Sequence, residues 1–167
     1  TAKRIRPHMY EAMSVQSNFS KIAVICPGVL GYTNLATETI IAGIASEMNA
    51  ACVLTVDSCV AKESERLCSC IQLSDTGMDS YLGTANLRRS SVGIPVVSIA
   101  VPTAIQMNTL VQENGSSDLS LTPAHVSDVI DTAAQIISCA ITQTAYPTLD
   151  YEDCKQCIGL FAHGLLP

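Results

Sequence analysis

The chain has 167 residues and a formal net charge of −6, and its nine Lys and Arg residues form no long run. This composition disfavours a protein that binds nucleic acid through its phosphates. Hydrophobic residues make up 48% and charged residues 14%, which excludes a disordered chain and favours one domain, residues 1–167, with an extensive core.

The amino-terminal part of the chain predicts two helices and one strand. Apolar residues at helical spacing predict a helix over residues 2–13, almost from Thr1. Such an abrupt start favours a natural chain that was cut or that continues upstream. The apolar run KIAVICPG, residues 21–28, predicts a strand buried on both faces, and residues 35–48 predict a second helix.

Three further strands and two helices are predicted downstream. The runs ACVLTVDS, CSCIQLSD and IPVVSIAVP, which begin at residues 51, 68 and 94, predict strands. A helix is expected over residues 103–112, and a longer one over 122–144 with Thr122 as its N-cap. Nearly continuous apolar strands separated by helices predict an α/β fold of three layers, in which helices flank a central, mostly parallel sheet.

Asp57 is the first candidate for chemistry. It follows the apolar run VLTV, and in open α/β sheets ligands and catalytic groups collect beyond the carboxyl ends of the strands. A carboxylate there would be partly desolvated, and it could share a proton with a second carboxylate to activate water. An Asp that only caps the following turn or helix explains the position equally well. The residues themselves leave both roles open.

A second polar segment follows the third predicted strand. Ser74, Asp75 and Gly77 predict a turn, and Asn86 and Arg88 lie in the polar loop after it. Asp75 is a second acid at the same edge of the sheet, although an Asx-turn explains SDTG equally well. The triplet DTG also matches the active site of pepsin-like proteases, but the helix-rich pattern is unlike an all-β protease.

The eight cysteines raise the questions of disulfides and of metal binding. The sequence shows neither a signal-peptide pattern nor the roughly 18 uninterrupted apolar residues of a membrane span. We therefore expect a cytoplasmic protein without a membrane partner, whose reduced thiols mostly pack as small hydrophobes. Cys154 and Cys157 form a CxxC near His163, but a second ligand pair at zinc-finger spacing is missing. We expect no metal and no other cofactor.

An ordered series of motifs carries a family resemblance. The segments are CPGVLGYTNLATETIIAGI, VDSCVAKESERLCSCIQLSDTG and GIPVVSIAVPTAI. They place PGV-x-G before a helix, an aspartate after the second strand, E-R before I-Q-x-S-D-x-G, and GIPV with VPT in the fourth strand. From about Ile22 to Ala104, the chain resembles the germination protease of spore-forming bacteria, an aspartic-type endopeptidase.

The resemblance implies a fold related to the hydrogenase maturation proteases, a homotetramer and a self-processing zymogen. It implies as substrates the small acid-soluble DNA-binding proteins of the dormant spore, and so a place in the spore core. Asp57 falls on one of the family's two catalytic aspartates. The residues expected to line or brace the active-site edge are Glu65, Arg66, Ser74, Asp75, Gly77, Asn86 and Arg88.

Two departures from the family leave alternatives open. The loop from Asp79 to Arg88 lacks the family's usual His-Pro-Gly and Gly-Asn-Lys-Arg. The family's other catalytic aspartate lies upstream of the segment that matches Thr1–Met13, so we expect the chain to work beside an N-terminal fragment of the same protein and to be inactive alone. The alternatives are a non-catalytic or regulatory relative on the same scaffold and a metal-handling protein.

Overall fold

The computed structural model describes residues 22–27, 34–79, 86–111 and 119–155. The chain divides into two compact units, one of residues 26–129 and one that combines residues 1–25 with 130–167. Because residues 1–21 lie outside the described ranges, the helix expected over residues 2–13 stays a prediction.

The described elements follow one another along the chain as helix α1 (Thr37–Glu47), strand β1 (Val53–Ala61), a 3-10 turn (Ser64–Arg66), strands β2 (Gln72–Ser74), β3 (Met78–Asp79) and β4 (Asn86–Leu87), helix α2 (Arg89–Val92), strand β5 (Val96–Gln106), helix α3 (Met107–Val111), strand β6 (Ser120–Leu121) and helix α4 (Val126–Ala145). The α/β class and the two longer predicted helices are thus confirmed. The predicted N-cap of α4 at Thr122 is wrong, because the helix begins at Val126. Residues 22–27, expected in a buried strand, are mostly exposed and irregular. None of the strands in the described ranges pairs with this run.

A mixed sheet organises the larger unit. Strand β1 pairs with β5 in parallel, whereas β2 and β6 pair with β5 in the antiparallel direction. The expectation of a mostly parallel sheet is therefore wrong. Only residues 62–71 connect β1 to β2, and a parallel crossover needs about a dozen residues or more. Strand β2 consequently returns on the far side of β5 in the opposite direction to β1.

Strand β5 is longer than its sequence pattern indicates. It continues to Gln106, so the helix expected over residues 103–112 shortens to α3. Ile105 is paired on one side with Ala61 of β1 and on the other with Leu121 of β6, and it is 1% exposed. Burial between two strands overrides the local pattern because β-branched side chains pack well on a pleated surface.

An apolar cluster joins the helices of the larger unit to the sheet. Ile41 of α1, Leu87 of β4, Val92 of α2 and Val96 of β5 form its buried centre. Val53, at the start of β1, packs against them. Burying side chains of this size contributes about 1.5–3 kcal/mol each. The cluster fixes the amino-terminal ends of β1 and β5 under α1.

The smaller unit is described from Ile130 through the end of α4 to Lys155. Ala133 and Ile137 are buried one helical turn apart, as an amphipathic helix requires. Burial also raises the pKa of the Cys139 thiol, and the positive charge of Lys155 partly opposes that rise. Across the part of the chain that the structure describes, no helix combines the length and the apolar character needed to cross a membrane.

Candidate functional site

Asp57 lies in the middle of β1, which corrects the expectation that it ends the strand. The strand continues for four residues to Ala61, and Asp57 is paired with Ala100 of β5. The apolar run stops at Val56, but the backbone ladder does not, because Ser58 and the residues after it still pair with β5. The Asp57 side chain is exposed rather than desolvated, and its Oδ1 accepts the Ser58 N–H at 2.8 Å.

One face of the sheet is polar around Asp57, although the same face carries Val53 and Val96 of the apolar cluster at the amino-terminal ends of β1 and β5. Residues two apart along a strand, and residues in register on neighbouring strands, share one face. This polar face has two rows across β1, β5 and β2, namely Thr55–Ser98–Ser74 and Asp57–Ala100–Gln72. The opposite face is apolar and carries the exposed side chains of Leu54, Val56 and Leu73. Of the two faces of the described sheet, the polar face therefore carries the carboxylate, hydroxyl and carboxamide groups that could take part in a reaction.

The first row of the polar face is a line of hydroxyl groups. Thr55 Oγ1 donates to Ser98 Oγ at 2.8 Å, and these residues are 8% and 2% exposed. Ser74 lies beside Ser98 on β2, and its Oγ is 2.8 Å from the Oγ1 of Thr76. The buried Thr55–Ser98 pair links the central strands beside Asp57, while Ser74 continues the row towards solvent.

The second row places two polar side chains on either side of a small one. Asp57 and Gln72 both lie beside Ala100, whose methyl group separates them. Gln72 is partly buried. Sequence reasoning did not select Gln72, although its spacing of two from Ser74 in the run IQLS places both residues on one face of a strand.

The Asp75–Gly77 turn lies against the end of β4. Strand β4 pairs with β3 in a separate sheet of two strands. Gly77 has φ +85°, and a Cβ there would lie 2.0 Å from the Leu87 carbonyl oxygen and 3.0 Å from the Arg88 Cα. The structure thus brings the Ser74–Gly77 segment next to Arg88, and the expected Asn86 lies two residues before Arg88, on β4. The Arg88 N–H donates to Ser91 Oγ at 3.1 Å, and Asp75 is exposed.

Glu65 and Arg66 lie in the 3-10 turn beyond the carboxyl end of β1. Both side chains are exposed, and Arg66 Nε is 2.9 Å from Glu63 Oε2. The Glu65 carbonyl accepts a hydrogen bond from the Ser69 hydroxyl. The turn is separated from Asp57 by half of β1. Its described contacts lie within the turn, where they organise the chain reversal between β1 and β2.

Three thiols lie close to this chain reversal. Cys59 follows Asp57 on the polar face; burial raises the pKa of its thiol, and the nearby Cys70 and Asp57 raise it further. The Cys68 N–H donates to the Pro102 carbonyl at 2.7 Å, with Cys68 at φ +56°. The Cys70 Sγ contacts the Arg66 carbonyl at 3.6 Å. The Cys68 and Cys70 contacts are structural, whereas burial and the neighbouring Cys70 and Asp57 favour the neutral form of the Cys59 thiol.

The metal expectations concern the carboxyl-terminal part of the chain. Within the described ranges, no group of three or more His, Cys, Asp or Glu residues is arranged to hold a metal ion. Cys154 is buried at 1% exposure, and Cys157 and His163 lie outside the described residues. The alternative of a metal-handling protein, which depends on Cys154, Cys157 and His163, therefore stays a hypothesis from the sequence.

A shallow depression lies at the carboxyl ends of the parallel strands β1 and β5. Its volume is about 370 Å³, and Val60, Ala61, Lys62, Gln106 and Thr109 line it. Ligands commonly bind at this end of an α/β sheet. Asp57 does not line the depression, so the proposed chemistry and this hollow occupy different parts of the larger unit.

The chain is similar to known proteins over most of its length. A family model described as germination protease matches residues 4–117. The germination protease of Priestia megaterium is 35% identical over 107 residues, which cover 60% of this chain and 29% of that protein. The germination protease of a Bacillus cereus strain is 36% identical over 104 residues, and that of a Geobacillus species 38% over 96 residues. These matches cover 59% and 55% of this chain and 28% and 26% of those proteins, so the chain spans less than a third of the length of these relatives.

Proposed function

Because the chain belongs to the germination protease family, we propose that it forms part of an aspartic-type endopeptidase in which Asp57 is one of two catalytic aspartates. The observation that carries this proposal is the exposed Asp57 carboxylate at the centre of β1. It lies on a face that also carries Gln72 and the Thr55–Ser98 hydroxyl pair. A carboxylate in this position is open to water and to a peptide.

The proposed chemistry requires a general base and a general acid. The Asp57 carboxylate takes a proton from a water molecule, which attacks the carbonyl carbon of a peptide bond. The resemblance implies a second aspartate upstream of the residues that match the family. Two carboxyl groups that share one proton divide the two roles between them, and their titration belongs to the pair.

We propose small acid-soluble spore proteins as the substrates, cleaved in the spore core during germination. A small and flexible protein suits an exposed carboxylate, since an extended segment reaches it without unfolding of the protease. The net charge of −6 on this chain also favours a substrate with a basic surface over a nucleic acid.

The resemblance also supports proposals about the whole protein. These are synthesis as a zymogen, a homotetramer, an N-terminal fragment that supplies the second aspartate, and a fold related to the hydrogenase maturation proteases. We further propose that residues 1–167 belong to one peptidase domain. The residues proposed to line or brace the substrate-binding edge of that domain are Glu65, Arg66, Ser74, Asp75, Gly77, Asn86 and Arg88.

The decisive experiment compares Asp57→Asn with Asp131→Asn in the full-length protein that contains these residues. Asp131 is an exposed acid on α4 and serves as the matched control. Cleavage of a small acid-soluble spore protein should be lost in Asp57→Asn and retained in Asp131→Asn. Equal cleavage by both variants would remove Asp57 from the mechanism. A wild-type protein that binds the substrate without cleaving it would instead favour the non-catalytic relative.

A further inference from the structure

We infer that Gln72 is a further catalytic residue, whose carboxamide donates a hydrogen bond to the oxygen of the scissile carbonyl. The inference rests on the proposed peptidase function and adds a residue to the same site. Its basis is the register of the sheet, in which Asp57 on β1 and Gln72 on β2 are both paired with Ala100 of β5.

The spacing of the strands sets the width of this site. Neighbouring strands lie about 4.8 Å apart, so the Cα atoms of Asp57 and Gln72 are separated by roughly 10 Å. Both side chains extend from the same face, and Ala100 offers only a methyl group between them. In the proposed complex, one carbonyl group and one water molecule lie between an acceptor on β1 and a donor on β2.

The Gln72 carboxamide has donor capacity to spare among the described residues. Its Nε2 contacts the Sγ of Cys70 at 4.0 Å, and sulfur is a weak acceptor. The amide group carries two N–H donors, so at least one of them is available to a substrate oxygen. Partial burial of Gln72 strengthens such a hydrogen bond, since less water screens it.

The other polar groups of the face are less suited to this role. Ser98 is 2% exposed and already accepts the Thr55 hydroxyl proton, so a substrate does not reach it. Ser74 lies in the neighbouring row, and its hydroxyl is engaged with Thr76. Gln72 is the neutral donor that shares a row with Asp57.

The step balances with one water molecule. The water oxygen bonds to the carbonyl carbon while its proton passes to the Asp57 carboxylate, and the carbonyl π electrons move onto the carbonyl oxygen. A Gln72 N–H stabilises the resulting oxyanion, in the manner of an oxyanion hole. The oxyanion then re-forms the C=O bond and the C–N bond breaks, while the leaving nitrogen takes a proton from the second carboxyl group of the proposed pair. The proton that Asp57 took from water restores the one proton that the pair shares.

The test is Gln72→Met in the full-length protein, because methionine keeps the length of the side chain and removes the N–H donors. We expect kcat to fall about 100-fold or more while KM changes less than threefold, as for loss of an oxyanion donor. Gln135→Ala, at an exposed position on α4, is the control and should leave both constants unchanged. Gln72→Ala, with its thermal midpoint measured beside that of the wild type, separates lost chemistry from lost folding.

The outcomes distinguish this inference from the function on which it rests. If Asp57→Asn abolishes cleavage while Gln72→Met retains kcat within threefold, the role of Gln72 is wrong and the proposed function stands. A rise in KM at constant kcat would make Gln72 a binding residue only and would also overturn the inference. If Asp57→Asn cleaves normally, both proposals fail.

Discussion

Thr55 Oγ1 donates a hydrogen bond of 2.8 Å to Ser98 Oγ, joining the two parallel strands that carry the proposed site. The pair lies in the row next to Asp57 and is almost fully buried. A buried hydroxyl without a partner is costly, so each of these residues depends on the other. We infer that the pair fixes the position of β1 relative to β5, and with it the backbone that carries the exposed Asp57 carboxylate.

Removing either hydroxyl of this pair should destabilise the protein, and removing both should cost less than the sum of the two single losses. Thr55→Val and Ser98→Ala should each lower the free energy of unfolding by about 1–3 kcal/mol, because each leaves a buried polar group unpaired. The double variant should cost clearly less than the sum of the two. Urea unfolding of all four proteins in a double-mutant cycle measures the coupling. Additive losses would show that the hydrogen bond contributes nothing.

The turn that follows β2 depends on glycine at position 77. Gly77→Ala should lower the free energy of unfolding by at least about 2 kcal/mol, because it combines a positive φ with a collision against the Leu87 carbonyl. Thermal or urea unfolding measures the loss.

Two other glycines serve as controls for this change. Gly93→Ala has a similar φ of +89° but nothing within 4 Å, so it should cost only the backbone strain of about 1–2 kcal/mol. Gly43→Ala lies within α1 in open space and should stabilise the protein by roughly 0.5–1 kcal/mol. If Gly77→Ala is no worse than Gly93→Ala, the close approach to β4 is not rigid.

The sequence indicated the elements better than their ends or directions. Helices α1 and α4 were foreseen because their apolar residues recur at helical spacing, which is a local signal. The end of β1 was misplaced at Asp57, since a polar residue on one face ends an apolar run without ending the backbone ladder. The antiparallel direction of β2 was missed because it depends on a short connection and on pairing with β5, which are tertiary features.

The sequence likewise predicts only part of the candidate site. The positions after apolar runs and the family motifs both indicate Asp57 and the Ser74–Gly77 turn, and the structure adds the contact between that turn and Arg88. Gln72 was overlooked because its partner in the row, Ala100, is distant in sequence and has no functional group. Only the register of three strands shows that Asp57 and Gln72 flank the same residue.

Stability should fall at alkaline pH through the Cys59 thiol. Its pKa is raised above the ordinary value of 9.0 by burial, and further by Cys70 and Asp57. Folding therefore favours the protonated thiol, so the contribution of this group is fully present below about pH 9 and is lost as the pH rises through the folded pKa. Unfolding free energies of the wild type and Cys59→Ala, measured from pH 7 to pH 10.5, should converge as the pH increases.

Cys52→Ala provides the comparison for that experiment, because Cys52 is exposed on the same unit. Its free energy of unfolding, measured at the same pH values, gives the effect of removing an exposed thiol from this unit. A difference between Cys59→Ala and the wild type that stays constant over the range would mean that ionisation of Cys59 costs the folded state nothing.

The extension of β5 beyond its predicted end makes Ile105 a central residue of the larger unit. Ile105→Ala should lower the free energy of unfolding by about 2–5 kcal/mol and Ile105→Val by about 0.5–1.5 kcal/mol, because the site lies between β1 and β6 and has little room to collapse. Ile136→Ala is the matched control, since Ile136 is 51% exposed on α4 and should cost far less. If residues 103–106 instead began a helix, as the sequence pattern alone predicts, and Ile105 were exposed on it, Ile105→Ala would be no more harmful than Ile136→Ala.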